Sequence, residues 1–497
     1  MSKTPEHLSQ EGRMAFLFKD SVIYGGAAAL SKAFTLITLP LLVRHFKVAE
    51  YGVLDFYMVL IVFMTILFVF GQDSAVARYY YEYEDSSDRQ QLISQSLVFQ
   101  MLGICALLPV LWGAADWITS FLIDAPERTT LFKIVLLHLP FMVLISFSQG
   151  LLKWTFERTR FLIMSVGFMA GQGGLLLIAL YGYGVGITGV LLASFMNSVM
   201  FGVLGLILIK KWLVRPKDFK FLSEMLPFAT PIGIICVAGA LSPTLERMLT
   251  DTLLGAEQLG LYAVATKIAL LIGLIVSAFQ TAWGPFSLSI YKHADAAQTY
   301  NLVLKIFAII SCVGALTLTL IADCLIVILA TDKYIAASMV VFPLVFGLVV
   351  QATSWITEIG TTLSKRSSLM IYSYTLMIVV TSSGIWLLAP IYGLLGVGLA
   401  VLTGHIAKAL LASWLAQRSY RMPWDYGRAA AVFVTTLIVG LLATYSGNTF
   451  HAIAEKLILL SGIFLILGAG WCFILAYEDR VVLKNILSSL LQKERKA

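Results

Sequence analysis

Lys32, Lys267, Lys408 and Glu358 each interrupt a run of mostly apolar residues, and their charges are the chemistry this sequence displays most openly. A charge at the bilayer centre costs about 2.5–3.5 kcal/mol on insertion scales, so such residues face a cavity, a partner or an ion path. Lys32 brings a polar stripe with it. Ser21, Tyr24, Ala28, Ser31, Thr35 and Thr38 follow a 3-4-3-4-3 spacing, which places them on one helical face. That face beside a lysine reads as a wet cavity wall; the alternative is a lysine paired with an acid on another helix. Gln351, Trp355 and Glu358 share a face at spacings of 4 and 3, and Glu358 is placed to pair with a lysine or to carry a proton. Lys267 lies about two turns into its run, where snorkelling competes with a cavity role, and Lys408 follows His405 by one turn. Lys305 is expected to snorkel from a cytoplasmic end, Gln72, Asp73 and Arg78 to anchor at an interface, and His138 to be a satisfied packing histidine. The candidate substrate-binding set is thus Lys32, Ser31, Thr35, Lys267, Lys408, Glu358 and Gln351. Its balance is cationic. Cationic cavities attract anions and lysine binds phosphate as a point charge, so a phosphate or pyrophosphate headgroup fits the sign.

Other chemistries lack their residues. The sequence has no Gly-rich loop ending in Lys-Ser/Thr and no His/Cys/Asp cluster at metal-ligand spacing. Cys105, Cys236, Cys312, Cys324 and Cys472 fall in apolar runs without redox spacing and read as small packing residues. No catalytic residue, metal or bound cofactor is expected, and the chain is read as a non-enzyme.

These residues sit in a chain whose main solvent is lipid. Of its 497 residues 59% are apolar and 13% charged, against about 45–50% and about 25% in soluble domains. Hydrocarbon about 30 Å thick requires about 20 apolar residues per helix. Continuous runs such as Val59–Phe70 and Leu270–Phe279 exclude the apolar/polar alternation of a membrane β-barrel. An all-α polytopic protein of about fourteen transmembrane helices is predicted, with spans near 20–43, 51–75, 92–114, 131–152, 161–182, 185–209, 222–246, 259–284, 300–323, 338–362, 369–389, 393–416, 429–446 and 457–476. The first run is too long for a cleavable signal. Of the 35 Lys and Arg, 24 fall in segments that an inside N-terminus makes cytoplasmic and 7 in segments it makes external. Both termini are therefore expected in the cytoplasm, and the net charge of +7 is loop charge rather than a nucleic-acid footprint. The tail from Arg480 to Lys496 interleaves Leu483, Ile486, Leu487, Leu490 and Leu491 with basic residues, as an amphipathic helix on the inner leaflet or a simple cytoplasmic tail would.

The sequence also repeats. Ala49-Glu50-Tyr51-Gly52 matches Ala256-Glu257-Gln258-Leu259-Gly260. Gly186-x-x-Gly189-x-x-x-Ala193 matches Gly393-x-x-Gly396-x-x-x-Ala400, and Pro40-x-Leu-x-Arg44 matches Pro243-x-Leu-x-Arg247. The offsets equal six spans, an even number, so the halves share one topology as parallel repeats. The expected organisation is a cytoplasmic N-tail 1–19, an N-lobe 20–215 (helices 1–6), a C-lobe 216–420 (helices 7–12), helices 13–14 over 421–478 and a cytoplasmic tail 479–497. Two such lobes facing a cavity suit alternating access.

The stretches Leu30-Ser31-Lys32, Pro40-Leu41-Leu42-x-Arg44-x-Phe46, Glu50-Tyr51-Gly52-Val53-Leu54 and Gly71-x-Asp73-Ser74-Ala75-x-Ala77-Arg78-Tyr79-Tyr80-Tyr81-Glu82 resemble the Wzx-type oligosaccharide flippases, the polysaccharide-synthesis branch of the MOP exporter superfamily. The resemblance is clearest over residues 18–85. It implies a multi-pass transporter of the bacterial inner membrane that flips undecaprenyl-pyrophosphate-linked oligosaccharide for O-antigen, capsule or exopolysaccharide synthesis. It further implies an H+ or Na+ gradient as energy source, and a polysaccharide polymerase and chain-length regulator as partners besides membrane lipid. Rival readings are a lipid II flippase, a multidrug exporter of the same superfamily, a membrane enzyme such as a polysaccharide ligase, and a scaffold of polysaccharide assembly. A lysine in span one argues against cationic drugs.

Overall fold

Lipid offers no hydrogen bonds, so each apolar run must satisfy its backbone internally, as a helix. The computed structural model describes residues 26–27, 30–31, 33–121, 125–291, 293, 296–364, 366–449 and 452–470, and among them the fold is all-α. The principal helices are α1 (Ala33–His45), α2 (Val48–Val69), α3 (Gln72–Tyr80), α4 (Ser86–Gly113), α5 (Thr129–Trp154), α6 (Arg158–Leu177), α7 (Ile187–Ile209), α8 (Lys220–Leu254), α9 (Ala256–Ala269), α10 (Ile272–Ile290), α11 (Ala296–Leu320), α12 (Ser338–Thr357), α13 (Met370–Tyr392), α14 (Leu394–Ser419), α15 (Tyr426–Thr449) and α16 (Ala452–Ala469). Eleven helical stretches among the described residues are long and apolar enough to cross a membrane. They fall on the second to seventh and ninth to thirteenth predicted spans. The first span is described only in part, as is the fourteenth, and the amphipathic tail lies outside the described residues.

Outward faces carry large apolar side chains. Leu410 is 69% exposed and Phe464 72% exposed, a surface that suits hydrocarbon and would aggregate in water. The chain is a multi-pass membrane protein.

Three departures from the predicted spans matter for the sites. The eighth span is not one helix: α9 ends at Ala269, Leu270 and Leu271 form a turn, and α10 resumes at Ile272. The second span stops at Val69, because Phe70 and Gly71 adopt left-handed backbone at φ 42° and 71°. Glycine is needed at position 71 for a second reason: a Cβ there would lie 2.5 Å from Ala229 O and 2.7 Å from Gly233 N of α8. The seventh span was expected to stop at 246, yet α8 runs 35 residues to Leu254. It carries Pro227, Pro231 and Pro243 within the helix, and Pro243 O accepts from Arg247 Nη1 at 3.1 Å.

The repeat shows in the helix starts. α2 and α9 begin 208 residues apart, and α7 and α14 begin 207 apart, each preceded by the matched Gly186 or Gly393. Two compact units form, one of Met1–Ala263 with Leu329–Thr331, the other of Val264–Ile328 with Asp332–Ala497. The first has a core of Leu92, Ile93, Leu151, Leu152, Met225 and Ala229. The second is built around Trp283, Tyr300, Phe307, Ala352 and Ile356.

Candidate functional site

In the second unit, α12, α13 and α14 enclose one lysine. Lys408, on α14, is wholly buried. Its ammonium donates to Ser354 Oγ at 2.9 Å and to Glu358 Oε2 at 3.3 Å, and it lies 4.9 Å from the centre of the Tyr374 ring. A buried charge is tolerable only when paired and hydrogen-bonded, and here three contacts from two helices hold it. The Glu358 side chain keeps 15% exposure. His405, one turn before Lys408, is buried with Nδ1 unpartnered among the described residues. Beside this group lies a cavity of about 620 Å³, lined mostly by apolar side chains and bordered by Ser354, Thr357, Ser413, Gln417 and Tyr426. Thr357 Oγ1 and Ser413 Oγ are 2.7 Å apart. The Tyr426 hydroxyl accepts from Gln417 Nε2 at 3.3 Å.

The first unit holds a second buried polar group that the sequence reading missed. Arg247 Nε donates to Asp55 Oδ2 at 2.7 Å, with both residues almost fully buried. Beside them Glu246 accepts from Ser242 Oγ at 2.8 Å and from the Tyr262 hydroxyl at 2.7 Å. One turn on, Asp251 pairs with Arg128. Arg247 was expected in an external loop between spans; it is instead helical and buried, because Asp55 neutralises it and α8 continues through it. The same corner brings the repeat's matched glycines together. A Cβ on Gly52 would lie 2.5 Å from Gly260 N and 2.7 Å from Ala256 O, while one on Gly260 would meet Val48 O. Small residues allow such backbone approach between membrane helices. Glycine pairs separated by one repeat length are a signal that the sequence offered; the partner of Arg247 was not visible in it.

The predicted site residues scatter. Lys32 lies outside the described residues. Ser31 Oγ bonds back to Ala27 O at 3.0 Å and Thr35 Oγ1 to Ser31 O at 3.2 Å, as helix-borne hydroxyls do. Lys267 is half-buried in the last turn of α9, and Gln351 is half-buried on α12. Only Lys408 and Glu358 of the set meet. Lys305 does not snorkel: it is buried, its ammonium 3.7 Å from Asp425. His138 Nδ1 is 2.9 Å from Ile134 O, but its Nε2 has no partner among the described residues. Gln72 is buried and accepts from Ser96, so it packs rather than anchors, whereas Asp73 and Arg78 are exposed. Cys312 is buried as expected of a packing residue; Cys105, Cys236 and Cys324 are exposed instead, and Cys472 lies outside the described residues.

No curated protein matches the sequence. Among solved structures, the lipid II flippase MurJ in an inward closed conformation is similar with a TM-score of 0.71 at 16% identity, over 93% of this chain and 100% of that one. An inward-facing multidrug resistance MATE family transporter of the MOP superfamily gives 0.62 at 16% identity, over 80% and 95%. A Vibrio cholerae MATE transporter gives 0.55 at 18% identity, over 81% and 96%. The likeness is one of fold: this all-α chain shares the architecture of these transporters. The profile of the polysaccharide biosynthesis proteins matches residues 17–291, more than half of the sequence, and the chain belongs to that family.

Proposed function

We propose that this protein is a transporter that flips undecaprenyl-pyrophosphate-linked oligosaccharide from the cytoplasmic to the periplasmic leaflet of the bacterial inner membrane, by alternating access, for O-antigen, capsule or exopolysaccharide synthesis. The observation that carries the reading is the family match over residues 17–291, because the fold alone is common to lipid flippases and drug exporters. The sign of the intramembrane charge supports it: Lys32, Lys267 and Lys408 against Glu358 favour an anionic headgroup. Lys32, flanked on its face by Ser31 and Thr35, is the headgroup contact in this reading, with Lys267 as a second cationic candidate. Lys408 is already held by Glu358 and Ser354, so those residues, with Gln351 beside them, serve the transport cycle rather than the headgroup. Export draws on an ion gradient, delivers to a polymerase and chain-length regulator, and leaves both termini in the cytoplasm.

A second reading, a lipid II flippase, is favoured by the likeness to MurJ along 93% of the chain. Complementation separates the two. The gene is expected to restore surface glycan to a strain lacking its own oligosaccharide flippase, and not to support growth of a strain depleted of its lipid II flippase. The reverse pattern would reverse the assignment. Within the same assay, Lys32→Glu is expected to cut glycan export at least tenfold at equal membrane abundance, and Lys32→Arg to keep most of it. Full export by Lys32→Glu would remove Lys32 from the headgroup site.

A further inference from the structure

We propose that the Lys408–Glu358 pair is a proton-carrying site, with the adjacent hydroxyls of Thr357 and Ser413 as the polar groups that relay the proton to it. The inference rests on the transporter reading and adds to it the ion and the residues that carry it.

The lysine first. An ammonium wholly buried in a membrane helix bundle is retained only where a function or a full set of partners justifies it. Lys408 has partners that do not depend on Glu358: the Ser354 hydroxyl at 2.9 Å and the Tyr374 ring at 4.9 Å. Its contact with the carboxylate is single, and longer, at 3.3 Å. A pair built only for stability would be expected to lock the carboxylate in two hydrogen bonds and seal it. Here the acid keeps 15% exposure and can gain a proton while the ammonium stays solvated by hydroxyl and ring.

The route second. Thr357, next to Glu358 in the chain, has its hydroxyl 2.7 Å from that of Ser413. Gln417, one turn beyond Ser413 on α14, donates through Nε2 to the Tyr426 hydroxyl at 3.3 Å. Each hydroxyl donates one hydrogen bond and accepts others, so the row passes a proton by each oxygen taking one and releasing another. Ser354, Thr357, Ser413, Gln417 and Tyr426 border the same cavity, whose other lining residues, among them Leu410, Trp414 and Val434, are apolar. Tyr426 opens α15 at the connection from α14, around which Arg418, Arg421 and Arg428 cluster, the segment the charge bias places in the cytoplasm.

The step balances. A proton from water arrives on a Glu358 carboxylate oxygen, the Lys408⁺–Glu358⁻ pair becomes Lys408⁺ beside a neutral carboxyl, and the reverse step returns the proton to water. The other titratable groups on the surrounding helices are His405 and Arg418 on α14, Tyr372, Tyr374 and Tyr392 on α13, Tyr426, Arg428 and Tyr445 on α15, and Tyr300, Cys312 and Lys305 on α11, the last with its partner Asp425.

The test uses the full-length protein in proteoliposomes containing undecaprenyl-pyrophosphate-linked oligosaccharide, with a pH-sensitive dye inside, and reads protons moved per lipid flipped. The wild type is expected to move protons with the lipid. Glu358→Gln is expected to lower that ratio at least tenfold and to flatten the pH dependence of flipping. Thr357→Val with Ser413→Ala, which leaves the ion pair intact, is expected to lower it several-fold and keeps the proposal testable should Glu358→Gln fail to fold. An unchanged ratio in a folded Glu358→Gln, or in the double hydroxyl variant, overturns the proposal. Lipid flipped without protons overturns the proton site but leaves the transport reading intact. Protons moved without lipid, and lost in the same variants, support the site and overturn the substrate. Neither moved by the wild type overturns both.

Discussion

Arg247→Ala is expected to remove about 3–5 kcal/mol of folding stability, the cost of leaving one buried charge without its partner. Asp55 would remain buried with the Arg247 guanidinium gone. Glu246, already held by Ser242 and Tyr262, would add a second negative charge to the same corner. Measured as thermal unfolding in detergent, Arg247→Ala should melt well below the wild type and accumulate poorly in membranes. The paired variant Arg247→Leu with Asp55→Leu removes both charges and should recover most of the loss, because apolar replacement of a whole buried pair is often neutral or better. Equal stability of the single and paired variants would show that the ion pair does not hold α8 against α2.

The second large effect is steric. Gly52→Val places a branched side chain where the backbone of Gly260 and Ala256 already stands. Overpacking usually costs about 1–3 kcal/mol, and a clash with backbone, which no rotamer relieves, belongs at the top of that range. Gly260→Val should fail alike, since its Cβ would meet Val48 O. Gly150, a helical glycine with open space around its Cβ position, is the control: Gly150→Ala should gain about 0.5–1 kcal/mol from helix propensity alone. Near-equal melting of Gly52→Val and the control would mean that the seam between the repeat-matched glycines opens freely.

Both effects show where sequence reading succeeds and where it stops. Lipid forces long apolar runs, so eleven of the predicted spans stand as helices that can cross a membrane. The family was legible too, in motifs such as Glu50-Tyr51-Gly52 and Gly71-x-Asp73-Ser74. The repeat marked Gly52 and Gly260 as equivalent, but nothing in one dimension said that they touch. Arg247 was read as loop charge because a charge in sequence carries no sign of its partner, and Asp55 is 192 residues away. The turn at Leu270–Leu271 lies inside an apolar run, and its one local signal was Gly273, whose N–H closes the turn onto Leu270 O. Lys408 and Glu358 were singled out because charge is rare in such runs. Their hydroxyl neighbours were not, since serine and threonine bond back to their own helix in many places, as Ser31 and Thr35 do.

Lipid-linked oligosaccharide translocation by the purified protein tests the central claim most directly. The protein is placed in vesicles holding undecaprenyl-pyrophosphate-linked oligosaccharide on both leaflets, and the fraction open to an external glycan-cleaving enzyme is followed with time. Vesicles with the protein should pass from about half of the lipid cleaved to nearly all, while protein-free vesicles stay at half, and a cationic dye carried in the same vesicles should not be moved. Cleavage that stops at half, or transport of the dye with none of the lipid, would contradict the assignment.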